Sequence, residues 1–493
     1  MKPIFILLAL CTVLQACTSV SEQEDSATKP NILWIVADDL GTDLGCYGTP
    51  QVYTPHLDQL ASEGVRYENL FTVAAVCSSS RSALITGMYP QSIGCHQHRT
   101  QYKDSLPDPV IPITHYFREA GYFVSNGVYN DREKPGKQDY NFLADSLYDG
   151  TDWSQRQPGQ PFFAQIQIFF PHRPFKRDPS HPIHPDSVVI PPVYPDHPIT
   201  RQDWALYLEY IQLLDQEVGK VLQRLEEEGL ADNTIVFFFG DQGQPHVRAK
   251  QFMYDDGINT PLIIRWKKKL QAGTVSRQMV SNIDLGTTAM QMGGIDIPAY
   301  MQGKDIFGDD EREYIFAGRD RRDETVDRIR AVRSQDFKYI RNFYPERPYT
   351  QFNAYKKQAY PVLTLMQVMY KNGELTPEQA LFMAGTKLEE ELYDLNNDPE
   401  EIHNLAHDPA YAEVLQEMHA QLDQWLAEAD RGQYPEDPAE IVYAEQLMKG
   451  VFKDRMEEKG LSATSTDEKI LEFWTHYLVP TRKDVFEYPG LGH

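Results

Sequence analysis

Residues 31–39, NILWIVADD, decide the fold predicted for this chain. Asn31–Ala37 form a short apolar run that ends at two aspartates, which is the pattern of a strand buried on both faces. Strands of this kind are typical of parallel sheets whose two faces are covered by helices. The stretch therefore predicts an α/β domain that begins near residue 30.

The chain that follows alternates further buried strands with amphipathic helices. Thr54-Pro55 and Gly64 are residue types that begin and end a helix. A longer helix is predicted over 202–228, where apolar residues recur on one stripe. Further buried strands are predicted over 162–170, 234–239 and 261–266. This order of strands and helices predicts a large α/β domain with a mainly parallel sheet.

The pattern changes after about residue 310. Residues 329–333 and 337–342 are strand-like runs joined by Ser334-Gln335-Asp336, which predicts a hairpin. An amphipathic helix is predicted over 409–427. We therefore expect the large domain to cover residues 30–310 and a smaller α+β domain to cover 311–432. The sequence of the extension over 433–493 predicts no role.

The composition excludes some classes of protein. The 493 residues include 47 Lys and Arg against 72 Asp and Glu, a formal net charge of −25. Proteins that bind nucleic acid need concentrated positive charge to release counterions, so no nucleic-acid partner is expected. Five cysteines are too few for a disulfide-stabilised scaffold at this length.

The N-terminus has the pattern of a targeting segment. Lys2 precedes an apolar run over 4–13 that is too short to span a bilayer. Leu14-Gln15-Ala16-Cys17 resembles the lipobox of bacterial lipoproteins, which makes 1–17 a signal segment and Cys17 the lipidated residue. The alternative is an ordinary secretory signal in which Cys17 is incidental. Residues 18–29 are polar and predict a tether. We therefore expect an exported protein of the cell envelope, in the periplasm, at the outer membrane or at the cell surface. Its only membrane contact would be the lipid anchor.

Polar residues follow two of the predicted buried strands. Asp38 and Asp39 come directly after the first, and Asp241 and Gln242 follow the strand over 234–239. Open α/β sheets bind ligands at these carboxyl ends of their strands. Each pair alone fits a solvated turn or a helix N-cap. Together they form a set of oxygen donors that suits Ca²⁺.

A cysteine-containing motif occupies residues 77–87, CSSSRSALITG. Cys77, Ser79, Arg81, Thr86 and Gly87 match in order the signature of the type I sulfatases, which this segment resembles. In that family a maturation enzyme oxidises the cysteine to formylglycine (3-oxoalanine). The alternative is a helix N-terminus with an incidental thiol.

The resemblance extends over about residues 30–430. Further segments similar to the family are NILWIVADDLG at 31–41, PHLD at 55–58, PHRP at 171–174, FFFGDQG at 237–243, YDDGINTPLI at 254–263 and ELYDL at 391–395. The resemblance implies an alkaline-phosphatase-like fold, with a large mixed, mostly parallel sheet flanked by helices and a smaller C-terminal α+β domain. It also implies a sulfuric ester hydrolase of the branch that contains N-sulfoglucosamine sulfohydrolases and polysaccharide sulfatases.

The same resemblance implies roles for individual residues. The implied Ca²⁺ ligands are Asp38, Asp39, the modified Cys77, Asp241 and Gln242, which stands where most relatives carry Asn or His. The implied catalytic residues are Arg81, which braces the nucleophile, Lys137 and Lys250, which hold the sulfate oxygens, and His172, which protonates the leaving alcohol.

The chain departs from the family pattern at Asp139, which occupies the place of a histidine found in many sulfatases. This leaves the base for the second step of the reaction open. Lys134 also competes with Lys137 for the sulfate-binding role.

Two clusters of polar residues are candidates for the wall of a substrate pocket, and surface charge without a binding role is the alternative. The first is Gly94-Cys95-His96-Gln97-His98-Arg99, and the second is Asp320-Arg321-Arg322-Asp323-Glu324 with Asp327-Arg328. The main candidates among them are His96, His98, Asp320, Arg321 and Asp323. Carboxylates bind sugar hydroxyls and arginines bind sulfate or uronate groups, so sulfated oligosaccharides or polysaccharides are the expected substrates. Two other functions stay open: a phosphoester or phosphonate hydrolase of the same superfamily, and a glycan-binding lipoprotein in which Cys77 is unmodified.

Overall fold

A computed structural model describes residues 29–267, 269–430 and 436–479. It contains an eight-stranded sheet and a separate four-stranded sheet. The predicted signal segment with Cys17, and all but the last residue of the predicted tether, lie outside the described residues. None of the described helices has both the length and the apolar character needed to cross a membrane.

The eight-stranded sheet has NILWIVA near its middle. Its strands are β1 (Asn31–Ala37), β2 (Val65–Phe71), β3 (Phe123–Val128), β4 (Asp131–Pro135), β5 (Phe162–Ile168), β6 (Thr234–Gly240), β7 (Asn259–Arg265) and β8 (Thr274–Ser281). They lie in the order β4-β3-β5-β1-β6-β7-β2-β8. β1 pairs in parallel with β5 and β6, whereas β7 is antiparallel to both β6 and β2. The sheet is therefore mixed, which confirms the predicted fold class.

Helices cover both faces of this sheet. The described helices are α1 (Pro55–Glu63), α2 (Cys77–Thr86), α3 (Ile113–Glu119), α4 (Pro198–Glu227), α5 (Asp255–Ile258), α6 (Ile283–Met292), α7 (Ala354–Ala359), α8 (Pro361–Asn372), α9 (Pro377–Phe382), α10 (Ala412–Ala429), α11 (Pro438–Glu458) and α12 (Asp467–Leu478). Leu33 and Ile35 of β1 pack in one core with α1 and α4, while Trp34 and Val36 pack in the opposite core with α2, α3 and α6. Burial on both faces explains the unbroken apolar run of β1.

The four-stranded sheet is antiparallel and lies C-terminal to the large one. Its strands are β9 (Ile315–Arg319), β10 (Ile329–Arg333), β11 (Phe337–Asn342) and β12 (Glu390–Asp394). β10 and β11 form the predicted hairpin. The predicted helix over 409–427 is α10, which begins at Ala412 after one 3-10 turn. Leu422 and Trp425 of α10 pack on Val332 and Tyr339 of the sheet.

The C-terminal extension folds back onto the rest of the chain. Phe452 and Met456 of α11 and Trp474 of α12 share an apolar cluster with Leu206 of α4 and Leu365 of α8. This packing places the beginning of α11 beside the loops that surround the candidate site, a position for which the sequence contains no local signal.

Candidate active site

Cys77 lies where the carboxyl end of β1 meets the N-terminus of α2. It is the first residue of α2, a helix whose residues are all buried. Its Sγ lies 3.8 Å from Asp38 Oδ1 and 3.9 Å from Asp39 Oδ1. Burial raises the pKa of the Cys77 thiol. The encoded thiol is therefore protonated near neutral pH, which makes it a poor nucleophile.

The donors that the sequence predicted as metal ligands converge on this point. Ligand atoms of Asp38, Asp39 and Cys77 all lie within 4.8 Å of one another. Gln242 Nε2 contacts Asp39 Oδ1 and lies 3.2 Å from Cys77 Sγ. Gln242 Oε1 is buried and has no hydrogen-bond partner among the described residues. Rotation of this amide by half a turn brings its oxygen towards Asp39 and Cys77, as binding of a cation would require.

The carboxylate of Asp241 contacts two residues of the site. Its Oδ1 accepts the Asp39 N–H at 3.0 Å, and its Oδ2 accepts the Arg81 Nε–H at 2.8 Å. Burial and the adjacent charge of Asp38 raise the pKa of Asp241 to about 7. A raised pKa means that the positive charges nearby do not fully stabilise the ionised carboxylate, and a bound cation would stabilise it. The donor set therefore fits a hard divalent cation such as Ca²⁺.

Three cations surround the same carboxylates. Lys137 Nζ lies 2.9 and 2.8 Å from the two oxygens of Asp38, and Lys250 Nζ lies 2.6 Å from both oxygens of Asp39. Lys250 Nζ is also 3.7 Å from Cys77 Sγ. Arg81 Nη2 lies 3.4 Å from Asp38 Oδ1. The structure thus brings Lys137 to the site, while Lys134 lies in β4, whose residues are all exposed.

The charges of these groups stabilise one another. Burial raises the pKa of Asp38, but Lys137 and Arg81 outweigh it and hold that pKa well below its usual value. Burial lowers the pKa of Lys250, but Asp39 outweighs it and raises the pKa above that of a free lysine. Both lysines are therefore charged, so they are able to bind an anionic group presented to Cys77.

His172 lies beside Asp39 in the site. Its Nδ1 lies 2.7 Å from the Arg173 carbonyl oxygen, and its Nε2 lies 3.8 Å from Asp39 Oδ2. Because a carbonyl only accepts hydrogen bonds, Nδ1 carries a proton and Nε2 is directed to the site. Burial lowers the pKa of His172, and Asp39 offsets only part of that effect. The Tyr355 hydroxyl lies 3.4 Å from His172 Nε2.

Asp139 is held by Arg99, the last residue of the first predicted pocket-wall cluster. Arg99 Nε and Nη2 lie 3.0 and 2.8 Å from its two oxygens, and Lys137 Nζ is 4.0 Å from Oδ2. Burial raises the pKa of Asp139, but Arg99, Lys137 and Arg81 outweigh it and leave the pKa below its ordinary value. Asp139 is therefore an anion already engaged by Arg99, which makes it a weak base.

The five main candidates for the pocket wall are buried and have partners within the protein. His96 is buried, and burial lowers its pKa to about 3. Asp320 accepts from Arg330 at 2.9 Å, and Arg321 Nε lies 2.8 Å from both oxygens of Glu436. His98 and Asp323 are 3.0 Å apart, and both contact Arg322. The structure thus draws His98 and Asp323 together around Arg322 and places the other three deeper in the wall.

The site contains residues that sequence reasoning missed. Gln167 Oε1 accepts from Arg81 Nη1 at 2.7 Å. Its signal was a polar residue inside the otherwise apolar strand β5, which needs a partner when buried. Tyr355 lies in the short helix α7, far along the chain from any recognisable motif. No local signal marked it.

Comparisons with known proteins agree with this geometry. A family model described as Sulfatase matches residues 30–295. The chain belongs to the sulfatase family. A second model, described as "N-sulphoglucosamine sulphohydrolase, C-terminal", matches residues 243–384 of this sulfatase.

Individual relatives agree with the family and the predicted branch. The sulfatase is 36% identical over 466 residues to an ulvan-active sulfatase of Formosa agariphila, covering 83% of this chain and 76% of the relative. It is 26% identical over 490 residues to the N-sulphoglucosamine sulphohydrolase of Homo sapiens, covering 86% and 93% of the two chains. The predicted family, branch and enzyme class, a sulfuric ester hydrolase, are thereby confirmed.

A solved structure shares the fold. BT4656, in complex with its substrate D-glucosamine-2-N,6-O-disulfate, aligns with a TM-score of 0.60 at 18% identity. The alignment covers 81% of this sulfatase and 98% of the solved chain.

Proposed function

We propose that this sulfatase uses Ca²⁺ and a formylglycine made from Cys77 to remove sulfate from sulfated oligosaccharides or polysaccharides. The observation that carries the proposal is the position of Cys77. Its Sγ lies within 4 Å of carboxylate oxygens of Asp38 and Asp39 and is 3.7 Å from Lys250 Nζ. The proposed nucleophile therefore lies next to both a set of metal donors and a cation for the sulfate oxygens.

The chemistry explains why each of these groups is needed. A sulfate monoester resists attack because its oxygens carry negative charge, so catalysis needs positive charge around them. Asp38, Asp39, Asp241 and Gln242 would hold Ca²⁺, which acts as a Lewis acid towards an oxygen of the sulfate. Lys137 and Lys250 would move from the aspartates to the sulfate oxygens when that cation takes their place.

The first step makes one bond to sulfur and breaks another. The hydrated aldehyde at residue 77 has two hydroxyls on one carbon. Asp241 would take the proton of one hydroxyl, whose oxygen would then form a bond to sulfur. The bond between sulfur and the sugar oxygen would break as His172, protonated on both nitrogens beside the anionic sulfate, gives its Nε2 proton to the departing oxygen and keeps its Nδ1 proton on the Arg173 carbonyl. General acid catalysis of this kind contributes about 10²- to 10⁴-fold.

The second step restores the aldehyde. The remaining hydroxyl would give its proton to His172 Nε2, which the first step leaves unprotonated, the carbon–oxygen bond to the bound sulfate would break, and sulfate would leave as the carbonyl re-forms. An unmodified cysteine or a serine has no second hydroxyl and would stay sulfated after one turnover. This requirement is the chemical reason for proposing that a maturation enzyme oxidises Cys77.

The names of the relatives support the substrate class. One is an ulvan-active sulfatase, and another is an N-sulphoglucosamine sulphohydrolase. The test is a panel of ulvan oligosaccharides, glucosamine sulfates, phosphomonoesters and phosphonate monoesters, with sulfate or phosphate release measured for each. We expect sulfate release from at least one carbohydrate. Turnover confined to the phosphorus esters would refute the proposal and favour the phosphohydrolase alternative.

Maturation has its own test. Cys77→Ala should fold but release no sulfate, while the matched variant Cys46→Ala, which removes a cysteine outside the site, should stay active. Activity across preparations should follow the aldehyde fraction of the Cys77 peptide measured by mass spectrometry. Repeated turnover by Cys77→Ala would contradict the mechanism, because it would show that another residue supplies the nucleophile.

We also propose export and lipidation at Cys17. The proposal rests on the apolar run over 4–13 and on the Leu14-Gln15-Ala16-Cys17 motif. In a bacterial host, the unaltered protein should incorporate labelled fatty acid and sediment with membranes, and Cys17→Ala should do neither. Label incorporation by the alanine variant would exclude Cys17 as the lipidated residue.

A further inference from the structure

We propose that Arg322 and Arg99 form a second anion-binding subsite beside Cys77, which holds a carboxylate or second sulfate of the substrate. This inference rests on the proposed function, because it concerns a second charged group on the molecule whose sulfate is removed.

The backbone places the two arginines next to each other. Residues 98 and 322 form a short parallel bridge, and the His98 N–H donates to the Arg321 carbonyl at 3.0 Å. Arg99 and Arg322 therefore extend from adjacent segments. Burial lowers the pKa of Arg322, and the positive charge of Arg99 lowers it further. Two like charges that repel each other favour binding of an anion nearby.

Each arginine is linked to one of the lysines at Cys77. The Arg322 guanidinium lies 5.3 Å from the centre of the Tyr355 ring, and Lys250 Nζ lies 5.5 Å from the same ring. Arg99 binds Asp139, whose Oδ2 is 4.0 Å from Lys137 Nζ. One group, the Tyr355 ring or Asp139, thus separates each guanidinium from a lysine proposed to bind the reacting sulfate.

Arg322 has hydrogen-bonding capacity that the protein does not use. It is 4% exposed, and its Nη1 contacts His98 and Asp323. Its Nε is buried and has no hydrogen-bond partner in the described parts of the chain. A buried donor without an acceptor is unfavourable, and an oxyanion would satisfy it. The planar guanidinium matches the paired oxygens of a carboxylate or sulfate.

Arg99 offers the exposed half of the subsite. Asp139 engages its Nε and Nη2, and the side chain is 52% exposed. This bidentate pair fixes the orientation of the guanidinium, and Nη1 can then donate to a ligand that arrives from solvent. Arg321, by contrast, is held by Glu436 of the C-terminal extension.

The C-terminal extension also holds the loop that carries Arg99. The carboxylate of Glu440 in α11 accepts the Gln101 N–H at 2.8 Å and the Tyr102 N–H at 3.3 Å. The loop is therefore attached to the first turn of a packed helix. This attachment pre-organises Arg99 and lowers the entropy that substrate binding must overcome.

The test compares charged and less charged substrates with the same reacting sulfate. One pair is glucosamine 2-N,6-O-disulfate against each monosulfate. The other pair is a sulfated uronate-containing disaccharide against its carboxyl-reduced form. Arg322→Gln and Arg99→Gln should each lower kcat/KM by about 10- to 100-fold on the doubly charged member, mainly through KM. The less charged member should change less than about threefold. The pair that responds identifies the second group as sulfate or carboxylate.

Arg277→Gln is the matched control, because its side chain is 82% exposed and pairs with Glu68 away from the site. Equal losses on both members of each pair would overturn the subsite and leave the arginines as supports of the main centre. If Arg322→Gln shows no folded state in a melting experiment, the result for Arg99→Gln, which changes an exposed side chain, decides the test. Absence of sulfate release by the unaltered enzyme from every substrate would instead refute the proposed function.

Discussion

Replacing Lys250 by methionine is expected to separate the stability of the site from its activity. Lys250 and Asp39 are 1% and 0% exposed, and Nζ lies 2.6 Å from both carboxylate oxygens. Removal of one partner from a buried ion pair costs about 3–5 kcal/mol, because the other charge stays buried without compensation. For an unfolding unit of about 250–500 residues this lowers the melting temperature by roughly 3–10 °C.

Ca²⁺ should reverse much of this loss. In the variant, Asp39 has no lysine, so a bound cation becomes its counterion and stabilises the folded state by mass action. We expect the melting temperature of Lys250→Met to be lowest in chelator and to rise with added Ca²⁺ by more than that of the unaltered protein. Lys220→Met is the control, because Lys220 is exposed on α4 and should change stability by less than about 0.5 kcal/mol.

Activity should not return with stability. With Ca²⁺ bound, Lys250 is proposed to hold a sulfate oxygen, and loss of one such donor lowers kcat by about 10²- to 10³-fold. The assays are thermal melting by circular dichroism and sulfate release, both measured with chelator and with Ca²⁺. Unchanged melting of Lys250→Met in chelator would refute the ion-pair reasoning. Full activity in Ca²⁺ would refute the role in sulfate binding.

Three further outcomes are expected. Tyr355→Phe removes the hydroxyl 3.4 Å from His172 Nε2, so kcat on sugar sulfates should fall about fivefold. The kcat on an aryl sulfate should stay unchanged, because its phenolate departs without a proton. Burial and neighbouring carboxylates raise the pKa of Asp256 to about 7, so this acid destabilises the fold as pH rises from about 4 to 7. Asp256→Asn should therefore raise the melting temperature at about pH 8 and leave it unaltered near pH 4. Glu440→Ala frees the loop that carries Arg99 and should raise KM a few-fold for doubly charged substrates only, whereas equal KM changes on monosulfates would contradict the attachment.

Local sequence patterns were sufficient to predict features that depend on a single strand, helix or motif. NILWIVA predicted a buried strand because a short apolar run with β-branched residues that ends at two aspartates is typical of one, and it is β1. The aspartates after β1 and the Asp-Gln pair after β6 lie together, because parallel strands bring their carboxyl ends to one edge of a sheet. The order of residues 77–87, together with the other segments similar to the family, predicted the family.

Contacts between distant segments were decided only by the tertiary structure. The apolar run of β7 carries no mark of strand direction, and its antiparallel pairing follows from how the chain turns after β6. The choice of Lys137 over Lys134 depends on which side chain the loop after β4 directs to Asp38. Both lysines look alike in sequence.

The wall of the site shows the same limit. Arg321 and Arg322 are adjacent and chemically identical, yet one binds Glu436 and the other lies over Tyr355. That difference arises because the segment before α11 packs back from more than a hundred residues away and places the Glu436 carboxylate on Arg321. The sequence by itself determined the strand, the nucleophile motif and the family, since these depend on residue type and spacing. Which charges face one another was determined by packing, since the energy of a charge depends on partners that sequence distance does not reveal.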